Sequence, residues 1–106
     1  MTTFDEREKA FEAEFALQQE LKFKVRARAI TLLALWAAEL LGKVGEVGET
    51  YAKDIVAMDV ASPKPDVAIA RIVADLRSTG VSEHEVRRAM SRFLAQADAT
   101  IRGRVS

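Results

Sequence analysis

The side chains that could carry chemistry are few and scattered in this chain of 106 residues. The single histidine, His84, stands between Glu83 and Glu85, and the chain contains no cysteine. Adjacent residues of a helix point in different directions, so these three side chains do not form a chelating set. The lack of cysteine also excludes disulfides, thiolate metal ligands and thiol nucleophiles. The sequence therefore predicts no metal site.

Three glycines spaced three apart, Gly42, Gly45 and Gly48, surround Lys43 and come closest to a phosphate-binding loop. Known phosphate cradles follow a β-strand, and their patterns G-x-x-x-x-G-K-[ST] and G-x-G-x-x-G are both missing here. This segment is better interpreted as a helix stop followed by a turn. Because no residues combine a nucleophile, a base and oxyanion donors, we predict no catalytic residues and no enzymatic activity.

The elements that position any binding surface are predicted to be helices. Hydrophobic residues make up 49% of the chain, with only five glycines and two prolines, and no segment alternates with period two. Helical periodicity runs over about 3–19, 20–41, 46–60, 65–78 and 82–101, and it leaves open whether the first two are continuous. Ser82 and Glu85 predict a capping box at the start of the last helix. We predict an all-α fold with two domains, an N-terminal helix (1–19) and an antiparallel four-helix bundle (20–106).

The predicted core takes one apolar stripe from each bundle helix. Its members are Leu32, Leu33, Trp36, Leu40, Tyr51, Ile55, Ile69, Val73, Leu76, Val86, Met90, Phe93 and Leu94. The most apolar stretch, 30–41, is shorter than the roughly 20 residues that span a bilayer. We therefore predict a cytoplasmic protein without direct membrane insertion.

Charge changes sign along the chain although the formal total is zero. Residues 1–20 contain six acidic and two basic side chains, and residues 21–38 contain four basic and no acidic ones. Residues 39–85 are again net negative, and 86–106 are net positive. Acidic and basic helices could attract each other within the fold, or the C-terminal arginines could contact nucleic acid. Zero net charge and the lack of a known nucleic-acid-binding motif favour attraction between helices within the fold. We therefore predict no nucleic-acid partner.

A narrow apolar stripe marks the N-terminal helix. Its members, Phe4, Phe11 and Phe15, are spaced by seven and four residues among mostly charged neighbours. Two interpretations remain open. The stripe either packs on the protein's own core or enters the groove of a partner, the helix-in-groove mode of recognition.

Longer segments resemble one protein family. They are MTTFDEREKAFEA at the N-terminus, ELKFKVRAR at 20–28, LWAAE at 35–39, YAK at 51–53 and GVSEHEVRR at 80–88. In order and spacing they resemble the zeta-subunit family of alphaproteobacterial ATP synthases over essentially the whole chain. The chain departs from that family at Glu14, Leu17 and Gln18, where members often carry Lys, His and Asp.

The resemblance implies a small helical inhibitor of ATP hydrolysis, peripherally associated with the membrane-bound ATP synthase. Its N-terminal helix would insert between alpha and beta subunits of the catalytic head, near the gamma subunit, and its bundle would anchor that helix. The inhibitory positions implied here are Phe4, Asp5, Arg7, Glu8, Lys9, Phe11, Glu12 and Phe15. The resemblance also raises nucleotide binding, but no residue locates such a site and no cofactor is assigned. The alternative is a non-inhibitory small-ligand or nucleotide-binding bundle whose first helix folds on the core.

Overall fold

A computed structural model describes the backbone of residues 3–105 and the side-chain environments of residues 6–103. All secondary structure in this range is helical, which confirms the predicted all-α class. The α-helices are α1 (Thr3–Leu40), α2 (Glu46–Ala61), α3 (Val67–Asp75) and α4 (Glu83–Val105), with a 3-10 helix at Arg77–Thr79. The two helices predicted at the N-terminus are one helix, because α1 runs unbroken for 38 residues.

Nothing in the sequence of α1 stops the helix before Gly42. Residues 3–40 contain neither glycine nor proline and are rich in Ala, Leu, Glu, Lys and Arg, which all favour helix. At Gly42 the backbone turns left-handed, with φ of 75°. The Gly42 N–H donates to the carbonyl of Glu39 at 3.1 Å, and the Lys43 N–H donates to that of Ala38 at 2.8 Å. These two bonds form the Schellman stop that the glycine predicts.

Helices α2 and α4 run back along the C-terminal half of α1. Arg26 of α1 pairs with Asp59 near the end of α2 at 3.0 Å, so a basic stretch of α1 meets an acidic residue of α2. At the end of α4, Arg102 donates to the side chain of Gln18 at 3.2 Å. Helix α4 begins with a Ser82 cap, whose Oγ accepts the Glu85 N–H at 3.1 Å, as the sequence predicts.

The core contains most of the residues that periodicity predicts, together with alanines that it missed. Of the predicted set, the buried members are Leu33, Tyr51, Ile55, Ile69, Leu76, Val86 and Met90. Those only partly buried are Leu32, Trp36, Val73, Phe93 and Leu94. The prediction for Leu40 is wrong, because this side chain is 43% exposed. The buried face of α1 is instead completed by small residues, Ala29, Ala34, Ala37 and Ala38, which let neighbouring helices approach closely.

The N-terminal part of α1 projects from the rest of the fold. The molecule measures 63 × 27 × 26 Å with a radius of gyration of 17.4 Å. A compact chain of this length has a radius near 13 Å. We call residues 3–18 the N-terminal arm, and residues 19–103 the helical body. Within the described range, no helix is both long enough and apolar enough to cross a membrane.

Candidate partner-binding surface

The arm has almost no packing within its own chain. Every side chain from residue 6 to residue 20 is exposed, and the first buried residue of α1 is Leu21. Phe11 and Phe15 are 71% and 59% exposed, which is unusual for large aromatic side chains. The structure therefore does not place these two phenylalanines on the core of their own chain.

The two phenylalanines share one face of the arm with two polar side chains. Phe11, Glu14, Phe15 and Gln18 border a hollow of about 250 Å³. Gln18 ends this face, and its side-chain oxygen accepts the hydrogen bond from Arg102 of α4. The tip of α4 thus marks the level at which the helical body stops and the arm begins.

The predicted site residues lie together on the arm. Arg7, Glu8, Lys9 and Glu12 are exposed, and none of them pairs with another described side chain. The backbones of Phe4 and Asp5 belong to α1, but their side chains lie outside the described part of the chain. These four charged side chains are thus accessible, and no ion pair of theirs holds the described fold together.

The apolar surface continues past the predicted site to Phe23, which sequence reasoning missed. Phe23 is 58% exposed, and it borders a groove of about 370 Å³ together with Val60 of α2, which is 57% exposed. Arg26 forms one wall, held by Asp59 and by the Pro65 carbonyl at 2.6 Å. The available signal was the spacing of Phe23, which lies eight residues, or two steps of i, i+4, after Phe15.

Other groups that could carry chemistry have structural roles or lie apart. The Tyr51 hydroxyl donates to Asp75 at 2.8 Å and ties α2 to α3. Burial first, and then this bond, raise the pKa of Tyr51 well above its ordinary value of 10.0. His84 is exposed in the first turn of α4. Among the described residues, no three acidic or histidine side chains converge in a way that would hold a metal ion.

A comparison with known families assigns the chain to one of them. The family model described as ATPase inhibitor subunit zeta matches residues 1–100, which include the arm and most of α4. No curated protein matches the chain. Because the family match covers nearly the whole sequence, the chain belongs to the ATPase inhibitor subunit zeta family.

Proposed function

We propose that this inhibitor subunit blocks ATP hydrolysis by inserting its arm between an alpha and a beta subunit of the ATP synthase head, near gamma. The observation that carries the proposal is the exposure of Phe11 and Phe15 on the arm, along which no other described helix packs. Amphipathic helices use such a stripe to enter apolar grooves. The alternative function, a ligand-binding bundle with its first helix packed on the core, is not favoured by an exposed arm.

The dimensions of the arm suit insertion. Its 16 residues rise about 24 Å, and a helix with its side chains is about 10 Å wide. The arm continues into the body without glycine or proline, so the body holds it as a stiff extension. In this proposal residues 1–19 are the inhibitory domain, and residues 20–106 anchor it outside the interface.

The proposed mechanism is conformational. Hydrolysis by a rotary head requires each alpha–beta interface to open and close in turn. A helix that binds one of these states more tightly shifts the interface toward it and stops the next step. Phe11 and Phe15 supply the apolar contact, while Arg7, Glu8, Lys9 and Glu12 set the orientation. Phe4 and Asp5 join them on the basis of the family resemblance.

The test is a titration of the full chain against ATP hydrolysis by the cognate catalytic head. Phe11→Ala should weaken inhibition by at least about tenfold, because burying one aromatic side chain contributes about 1.5–3 kcal/mol. Lys9→Ala should weaken it less, because exposed ion pairs contribute about 0–1 kcal/mol. The control is Val44→Ala, which truncates a 74% exposed side chain in the α1–α2 turn and should leave inhibition unchanged.

Two results would contradict the proposal at different points. If Lys9→Ala proves more damaging than Phe11→Ala, the contact is mainly electrostatic and the argument from the apolar stripe fails. If the wild-type chain neither inhibits hydrolysis nor co-purifies with the head, the insertion mechanism itself is refuted.

A further inference from the structure

Among the described side chains of α1, the exposed phenylalanines form one row that crosses from the arm to the body. Phe11, Phe15, Gln19 and Phe23 follow each other at intervals of four residues, and each step turns by about 40° around the helix. Rows with this spacing are the ridges with which helices pack against one another. We call these four residues the phenylalanine ridge. From Phe11 to Phe23 it rises about 18 Å.

Opposite charges flank the two ends of the phenylalanine ridge. Glu8 and Glu12 lie at the arm end, and Lys22 and Arg26 lie at the body end. Each pair is spaced i, i+4, which places two like charges side by side and destabilises an isolated helix. Asp59 compensates Arg26, whereas Glu8, Glu12 and Lys22 have no ion-pair partner among the described residues. The acidic pair thus has no internal partner, and at the basic end Lys22 has none, whereas Arg26 is bound to Asp59.

The phenylalanine ridge of one molecule is complementary to the ridge of a second molecule whose α1 runs in the opposite direction. When Phe11 of one α1 faces Phe23 of the other, the same antiparallel register brings Phe15 opposite Gln19 and Glu12 opposite Lys22. Every contact then occurs twice, as a two-fold symmetric interface requires. A parallel arrangement would instead bring Glu12 against its own copy. We propose that the free protein forms an antiparallel dimer through the phenylalanine ridge.

The groove beside Phe23 fits this arrangement. It holds about 370 Å³ and is bordered by Lys22, Phe23, Ala27 and Val60, with the Arg26–Asp59 pair on one side. In the reversed register the incoming side chain here is Phe11 of the second copy, an aromatic group entering an apolar groove. The Lys22 ammonium on the rim of the groove then faces Glu12 of the second copy, next to that copy's Phe11.

The dimer is expected to be weak. One pair of crossing helices contributes an interface below the roughly 1,200 Å² of stable complexes, so it forms at high protein concentration. Phe11 and Phe15 are covered in this dimer. If the arm acts as proposed above, only the monomer presents it to the synthase, and self-association limits inhibition. Dimerisation itself does not depend on that function.

Sedimentation equilibrium of the full chain, from about 1 μM to about 1 mM, tests the dimer. The average mass should rise from 11.7 kDa toward twice that value. Glu12→Lys and Lys22→Glu should each raise the dissociation constant by at least about tenfold, because each places like charges opposite one another in both halves of the interface. Arg88→Glu, the same size of charge change on an exposed position of α4, should leave association unchanged.

Mixing the two charge variants tests whether the dimer forms through the proposed contact between residues 12 and 22 and not through another surface. In a heterodimer of Glu12→Lys with Lys22→Glu, both contacts again join opposite charges, so the mixture should associate as strongly as the wild type. Far-UV circular dichroism checks that each variant remains helical. A wild type that stays monomeric at every concentration overturns the proposal. So does a mixture that associates no better than its components. If the charge variants lose only inhibition and the wild type shows no dimer, the ridge serves the synthase head instead.

Discussion

Removing residues 1–18 should leave the stability of the helical body almost unchanged. Every described side chain from 6 to 18 is exposed, so the deletion returns little buried apolar area to water. Within the described part of the chain, the deletion breaks the hydrogen bond from Arg102 to Gln18, which joins two exposed groups at 3.2 Å. A net hydrogen bond contributes about 0.5–1.5 kcal/mol, with exposed ones at the low end, and Arg102 keeps its bond to Asp98. We therefore expect a loss of less than about 1 kcal/mol.

Urea unfolding followed by circular dichroism measures this loss. The full and truncated chains should both unfold cooperatively, with similar midpoints and similar m-values, because the arm adds little surface to the transition. A matched check is Leu33→Ala, which should cost the same free energy in both chains if the arm and the core are independent. A truncated chain that loses its cooperative transition, or more than about 2 kcal/mol, would show that the arm is structural.

Other substitutions test the packing of the body. Leu33→Ala should cost about 2–5 kcal/mol in urea melts, because this side chain is fully buried, whereas Leu40→Ala should cost less than about 1 kcal/mol. Gly48→Ala should destabilise the fold by about 1–3 kcal/mol, because the new Cβ would lie 2.8 Å from a backbone carbonyl of the α1–α2 turn. Gly103→Ala, in open space, should be neutral or stabilising. The fold raises the pKa of Tyr51 and so favours its protonated form. Its contribution to the free energy of unfolding is therefore complete below pH 10.0, the ordinary pKa, and declines above that pH as the unfolded chain loses this proton. In alkaline melts Tyr51→Phe should lack this decline.

The local signals in the sequence predicted the fold class and several helix ends. Gly42 stops α1 and Ser82 caps α4 because these effects depend on residues within one turn of the chain. The continuity of α1 could not be derived from periodicity, which reports the face of a helix and not its length. The end of α3 also differed, since the last residues before Gly80 form a 3-10 helix that local pattern does not distinguish from an α-helix.

The candidate partner-binding surface was predicted only as far as residue type and spacing allow. The stripe containing Phe11 and Phe15 was visible in the sequence, but its exposure depends on where α2 and α4 end, which is a tertiary property. Phe23 was missed because it lies between the buried residues Leu21 and Val25, in a segment that reads as part of a core helix. Leu40 was wrongly predicted as core because periodicity assigns large apolar side chains to the buried face of a helix.

The continuity of α1 connects the two proposals. A 38-residue helix without glycine or proline has no built-in hinge, so the arm cannot fold back onto its own body to cover Phe11 and Phe15. The groove beside Phe23 is therefore out of reach of the arm of the same chain, and a second copy can fill it. For the same reason, an arm held by the synthase would fix the orientation of the body outside the head. Covering the phenylalanines thus requires another molecule, and if both proposals hold, a second copy and the synthase compete for the same side chains.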